Sequence, residues 1–317
     1  MWWNTNKFQS HKIISLCVLS ILFLILLTPT PSAAQAEPDD LTGVKVGVYD
    51  GSGEMNSSRI ALVRMFEWMG ASVEEVNASQ ILGDYLDDCD IIVFPGGSEA
   101  SYMIDLQYIT GIEKLQNFIA NGGSFFGICG GSTFGARTLQ LFNGSMYLVS
   151  QPGETIHMTT MHTNQECTGP DLSDCPANFS TMYYASQYFG PDAGFAMHRI
   201  ATYEPGGRAG MIAFEYGHGT VFLSSPHPEY EENSDRDDTT FGDDLDDPES
   251  EWDLLLRVSK WLVDASQYEP PSSTTTPTPT PTTIPTSDTL ELPMIALAST
   301  GVILVLVSVV VLYRRMR

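Results

Sequence analysis

Basic residues are scarce in this chain. It carries 15 Lys and Arg against 39 Asp and Glu over 317 residues, a formal net charge of −24. No face can therefore neutralise a run of phosphates, and nucleic acid is excluded as a partner. Internal repeats are lacking too, which removes the repeat architectures. Long apolar runs occur only at the two ends, and cysteine is rare, with five in all.

The end runs set the compartment. Lys7 and Lys12 precede the apolar stretch Ile13 to Leu27, and Ala34-Gln35-Ala36 offers a small-residue cleavage site. Residues 1–36 therefore read as a signal peptide, with an uncleaved anchor as the alternative. Near the other end, Pro293 to Tyr313 is uncharged and mainly apolar, and Arg314, Arg315 and Arg317 follow at once. Residues 291–313 read as a transmembrane helix and 314–317 as a cytoplasmic tail. Residues 268–290 are mostly Pro, Thr and Ser, a composition that buries no core and favours extended backbone, hence a stalk. The expectation is a single-pass protein of the cell membrane, held in the bilayer by its C-terminal helix, with residues 40–267 as one extracellular domain. Sequons at Asn56, Asn77, Asn143 and Asn178 agree with export and mark candidate glycosylation sites.

The cysteines divide by setting. Cys17 leaves with the signal. Cys167 and Cys175 flank the turn-rich segment Thr168 to Asp174, which in an oxidising compartment predicts a local disulfide. A zinc site joining them to His157 and His162 is the alternative, but those spacings match no usual ligand pattern, and no metal is assigned. Cys89 precedes an apolar run and reads as a small buried residue. Cys129 remains as a free thiol.

Between the ends, Val44–Tyr49, Ser72–Val76, Ile91–Phe94 and Ser124–Ile128 read as strands. A helix ending at Met69, with Ser57 or Ser58 as its cap, and a second over Leu106–Ala120 alternate with them. Leu139–Tyr203 reads as an irregular or antiparallel insertion. Met211–Glu215 and Thr220–Ser224 form a hairpin around Tyr216-Gly217-His218-Gly219, with His218 a surface residue. Trp252–Val263 is a closing amphipathic helix. This alternation predicts an α/β domain with a mostly parallel, doubly wound, flavodoxin-like sheet and flanking helices.

In such sheets the carboxyl ends of the strands carry the chemistry. Gly127-Ile128-Cys129-Gly130-Gly131 places a cysteine at a strand-to-helix turn, the geometry of a nucleophile elbow, with the helix N-terminus favouring thiolate. His227, at the end of the hairpin strand, is a candidate base, and Glu229 can orient it. Backbone N–H groups of Gly97 and Gly130 can hold an oxyanion. Asp50, Gly51, Gly53, Gly96 and Tyr102 fall on the same rim and read as pocket residues.

The strings Phe94-Pro95-Gly96-Gly97, Gly127 to Gly131 and Ser225-Pro226-His227-Pro228-Glu229 resemble the class I glutamine amidotransferase-like superfamily. Within it, Tyr49 to Gly53 and the spacing from Pro95 to Tyr102 are most similar to the biotin–protein ligase N-terminal domain. The resemblance spans roughly Val44 to Glu229. It implies a Cys-His-Glu triad of Cys129, His227 and Glu229, with the Pro95-Gly96-Gly97 loop supporting the oxyanion hole. No synthetase, acceptor or ligase catalytic domain follows. For an exported member that stands alone, the resemblance implies hydrolysis of a small-molecule or peptide amide (an amidase or peptidase). A silent binding or sensor domain that keeps the pocket is the alternative. No cofactor is expected, except that the acidic stretch from Glu229 to Asp253, with Asp235, Asp237, Asp238, Asp243, Asp244, Asp246 and Asp247, offers oxygen ligands for calcium. A solvated loop is the competing reading, and in either case the stretch is placed to act as a lid.

Overall fold

The apolar runs become strands because four or five consecutive buried residues fit a sheet covered on both faces. The computed structural model describes residues 41–149, 155–231, 235–247 and 249–266. The chain divides into two units after Pro270, and every described residue lies in the first. The segments read as signal peptide, stalk, transmembrane helix and tail lie outside the described residues. Among those described, no helix is long and apolar enough to cross a membrane.

Strands β1 (Lys45–Tyr49), β2 (Ser72–Val76), β3 (Ile91–Phe94) and β4 (Ser124–Ile128) alternate with helices α1 (Asn56–Trp68), α2 (Ala78–Leu82), α3 (Glu99–Asp105) and α4 (Ile109–Ala120). The elbow opens a short helix α5 (Gly130–Thr133), which runs on as a π-helical turn over Phe134–Thr138. Next come β5 (Gly144–Leu148), β6 (Ile156–Thr163), β7 (Asn178–Tyr184), β8 (Gln187–Pro191) and β9 (His198–Tyr203). The hairpin β10 (Ala209–Tyr216) and β11 (Gly219–Ser224) and the helix α6 (Trp252–Ala265) complete the domain.

Nine strands share one sheet in the order β2-β1-β3-β4-β11-β10-β9-β6-β7, and β5 pairs with β8 apart from it. From β2 to β11 every pairing is parallel, in the flavodoxin-like order; from β11 to β7 every pairing is antiparallel. The expectation of a mostly parallel sheet is corrected here: the sheet is mixed, because the insertion supplies β6, β7 and β9 as an extension of the main sheet. The helix expected over Leu106–Ala120 begins three residues later, at Ile109, and a separate short helix precedes it. Gln107 and Tyr108 take positive φ of 56° and 54°, so α3 and α4 meet at a sharp corner.

Alternation along the central strands assigns each face its helices. Ile91, Val93 and Phe126 pack with Leu62, Met65 and Phe66 of α1 and with Leu255 and Val258 of α6. Ile92, Phe94 and Phe125 face the opposite way and pack with Ile81, Leu115 and Ile119 of α2 and α4. Burying each such side chain is worth roughly 1.5–3 kcal/mol.

Part of the acidic stretch is tied to the domain, while Asp243, Asp244 and Asp246 are exposed. Asp237 accepts the N–H groups of Glu231 (3.1 Å) and Thr239 (2.9 Å), and Asp238 pairs with Arg64 at 2.6 Å. The Arg236 guanidinium lies between the rings of Trp68 (4.9 Å) and Trp252 (4.2 Å) and reaches Glu231 and Ser250. Burial pushes the Asp247 carboxyl up to about 7. Among the described residues, no three His, Cys, Asp or Glu side chains converge as a metal site.

Candidate functional site

The sheet topology brings four strand ends together: those of β1, β3, β4 and β11. Cys129 follows β4 with φ 48° and ψ −106°, a conformation that costs a non-glycine residue of order 1–3 kcal/mol. Its N–H donates to Ser224 O on β11 at 2.8 Å, which ties the elbow to the strand that delivers His227. The thiol is partly exposed, whereas His227 and Glu229 are fully buried.

His227 Nδ1 lies 2.8 Å from Glu229 Oε1. The same carboxylate oxygen accepts the Ser58 hydroxyl at 2.6 Å, and Ser58 Oγ accepts the Gly96 N–H at 2.9 Å. Further contacts fix the segment. The His227 N–H bonds to Met182 O, Trp252 Nε1 donates to Glu229 O at 2.9 Å, and Tyr230 stacks on the imidazole at 5.6 Å while its hydroxyl pairs with Ser57. Nε2, the nitrogen not used by Glu229, makes no hydrogen bond. Burial by itself pulls the imidazolium down, but the charges of Glu229 and of the neighbouring Cys129 outweigh it and hold His227 well above its ordinary range. The folded chain thus keeps this proton more tightly than the unfolded chain. The pair stabilises the fold in acid and at neutral pH, and that contribution is lost as pH rises through the folded value.

The Pro95-Gly96-Gly97 loop packs directly on the elbow. A Cβ on Gly130 would lie 2.0 Å from Gly97 O, and one on Gly96 would lie 2.7 Å from the imidazole Cε1, so only glycine admits these approaches. Among the described residues the Gly97 N–H donates to no backbone carbonyl, and Gly130, first in its helix, has no intrahelical acceptor. Tyr102 props the loop from behind by donating to Gly96 O (2.9 Å), with Pro95 O at 3.1 Å. In front is a cavity of about 580 Å³ lined by Gly53, Glu54, Gly97, Cys129, Gly130 and the Tyr184–Gln187 corner.

Other expected site residues stand elsewhere. Asp50 pairs with Arg59 at 3.5 Å, and Gly51 lies under Tyr49 and Asp105; neither lines the cavity. The expected Cys167–Cys175 disulfide is not formed. Both are free thiols that serve as small apolar packing on the main core cluster, each closing its own turn through Asn164 O and Leu172 O. All four sequon asparagines are exposed. Ser58, Glu54, Tyr230 and the Tyr184–Gln187 corner were not singled out by sequence. Ser58 reads there as a helix cap, yet the cap position belongs to Met55 and the hydroxyl turns to Glu229 instead.

Residues 44–153 match the family model described as "Biotin-protein ligase, N terminal". That segment is biotin–protein ligase N-terminal-like. An uncharacterized protein of Chlamydia muridarum (strain MoPn / Nigg) is 27% identical over 157 residues, 44% of this chain and 60% of its own length. The chain therefore spans about three fifths of the length of the curated relative it matches. Among solved structures, a putative ThuA-like protein from Bacteroides uniformis has a TM-score of 0.51 at 13% identity, covering 75% of this chain and 97% of that one. A glutamine amidotransferase from Thermotoga maritima has a TM-score of 0.46 at 16% identity, covering 72% and 91%. The first of these structures shows the fold alone. The ligase-like segment ends at residue 153, before the strands that carry His227 and Glu229.

Two outcomes follow from the buried network. Ser58→Ala leaves the Gly96 N–H unpaired and should lower unfolding free energy in urea by about 1–3 kcal/mol, with Ser58→Thr losing less; equal stability of Ser58→Ala and parent would refute the bridge. Glu229→Gln removes the charge that holds the imidazole proton. The NMR titration midpoint of His227 should move to lower pH, and an unmoved midpoint would contradict that origin of the shift.

Proposed function

We propose that this chain is a membrane-anchored extracellular amide hydrolase that works through an acyl-enzyme on Cys129. The observation that carries the reading is the buried, charge-compensated His227–Glu229 pair beside a partly exposed cysteine at a strained elbow. In this reading the Cys129 thiolate attacks the amide carbonyl carbon, forming the C–S bond and a tetrahedral oxyanion. The Gly97 and Gly130 N–H groups stabilise the oxyanion. As the C–N bond breaks, His227 Nε2 passes its proton to the leaving amine. Water then attacks the thioester and gives its proton to His227, and the C–S bond breaks to release the carboxylic acid and restore the Cys129 thiolate beside the protonated His227. Glu229, held by Ser58, keeps Nδ1 as the donor and the ring in place. The N- and C-terminal apolar runs and the arginine-rich tail support the placement outside the membrane.

The direct test is alkylation of the full-length chain with iodoacetamide near neutral pH, read at Cys129 by peptide mass. Rapid labelling that falls about tenfold or more in His227→Gln is expected. Slow labelling independent of His227 would overturn the hydrolase reading and leave a binding domain with an inherited pocket. Placement is tested by adding protease to intact cells: loss of the region around residues 41–266 is expected, and full protection would refute an extracellular domain.

A further inference from the structure

The cavity in front of Cys129 is charged in one sense only. Glu54 is the only Asp, Glu, Lys or Arg among the described residues that line it. The antiparallel bridge Glu54↔Gly97 fixes that residue against the oxyanion loop, and its side chain is 12% exposed. Its countercharge is shared. The single guanidinium of Arg59 serves Glu54 (3.5 Å), Asp50 (3.5 Å) and Glu75 together, one cation for three carboxylates. Arg137 is 63% exposed and faces Glu99 at 3.9 Å, and Arg208 is stacked on the ring of Tyr188 at 4.5 Å. Segments 150–154 and 232–234 contain no Lys, Arg or His. No Lys or Arg lines the cavity to neutralise a carboxylate brought in with a substrate, and the His227 charge is already answered by Glu229 and Cys129.

We infer that the cavity selects amide substrates whose acyl part is cationic or neutral close to the scissile carbonyl, and that Glu54 is the specificity-determining residue that excludes anionic acyl groups. This inference rests on the hydrolase reading and narrows its substrate class. An amine-bearing acyl group completes the charge of the Arg59 cluster, whereas a carboxylate-bearing one adds a like charge at short range. Burial raises the Glu54 carboxyl; among its charged neighbours the downward pull of Arg59 exceeds the upward push of Asp50.

Three methanethiosulfonates of equal reactive group test this: 2-(trimethylammonium)ethyl (cationic), methyl (neutral) and 2-sulfonatoethyl (anionic). In each reaction the Cys129 thiolate attacks the thiol sulfur, forming a mixed disulfide and releasing methanesulfinate. Rates at Cys129 in the full-length chain are read by peptide mass and divided by the rates with 2-mercaptoethanol. The cation should react at least about tenfold faster than the anion, a ratio set by unit charges a few ångströms apart in a partly solvated site. Glu54→Gln should narrow that ratio by about threefold or more, and Gln187→Lys, on the opposite wall, should raise the anion's rate. Equal normalised rates, a faster anion, or a ratio unchanged in Glu54→Gln would overturn the inference. Should Glu54→Gln fail to fold, an anion rate unmoved by Gln187→Lys overturns it instead. Fast, His227-dependent reaction without charge preference would defeat this inference alone. Reaction no faster than in His227→Gln with every probe would defeat the hydrolase reading as well.

Discussion

A fully buried carboxylate depends on the protein for its partners, and at Glu229 one oxygen, Oε1, carries the hydrogen bonds that organise the site, while Oε2 has none among the described residues. Oε1 takes the imidazole on one side and the Ser58 hydroxyl on the other, and Ser58 passes the connection on to the Gly96 N–H. One buried oxygen therefore links the end of β11, the first helix and the loop after β3. Each is held by an independent part of the fold. Helix α1 packs across the face that holds Ile91 and Phe126, Trp252 of α6 donates to the Glu229 carbonyl, and Tyr102 supports the glycine loop. The oxygen binds these parts because leaving any one donor unpaired in the interior costs more than the bond itself contributes.

The strained elbow belongs to the same arrangement. Cys129 is held at positive φ by the bond from its N–H to Ser224 and by the tight stacking of Gly130 on Gly97. Strain of this kind persists only where surroundings over-determine it. Here the parallel pairing of β4 with both β3 and β11 leaves the turn no room to relax. The same pairing brings Cys129, Gly97 and Gly130 to one edge of a cavity whose far wall comes from the β7–β8 corner, with His227 fully buried outside its lining.

Much of this was legible in the chain itself. Ser72–Val76, Ile91–Phe94 and Ser124–Ile128 are strands at the expected bounds, and the Gly217-His218 reversal joins β10 to β11 in register. The glycines around Cys129 and after Phe94 marked close backbone approach. Less legible was the insertion, where polar alternation in β6 and β7 does not say which sheet the strands join. Ser58 was misread because a serine near a helix start has a local explanation, the cap, that hides a partner 171 residues away. The cysteine pair was misread because sequence proximity and compartment chemistry do not report whether two sulfurs are turned toward each other or into the core.

The sequence by itself determined the strand–helix alternation, the elbow, the histidine with a carboxylate two residues on, and the acidic balance. These are local properties, set by side-chain period, glycine freedom and charge. Only the tertiary structure decided that the sheet is mixed, that Ser58 closes the network, and that one arginine answers three carboxylates behind the cavity. Those depend on which distant strand ends meet, and that is settled by which arrangement buries both faces of the sheet while pairing every interior polar group it can.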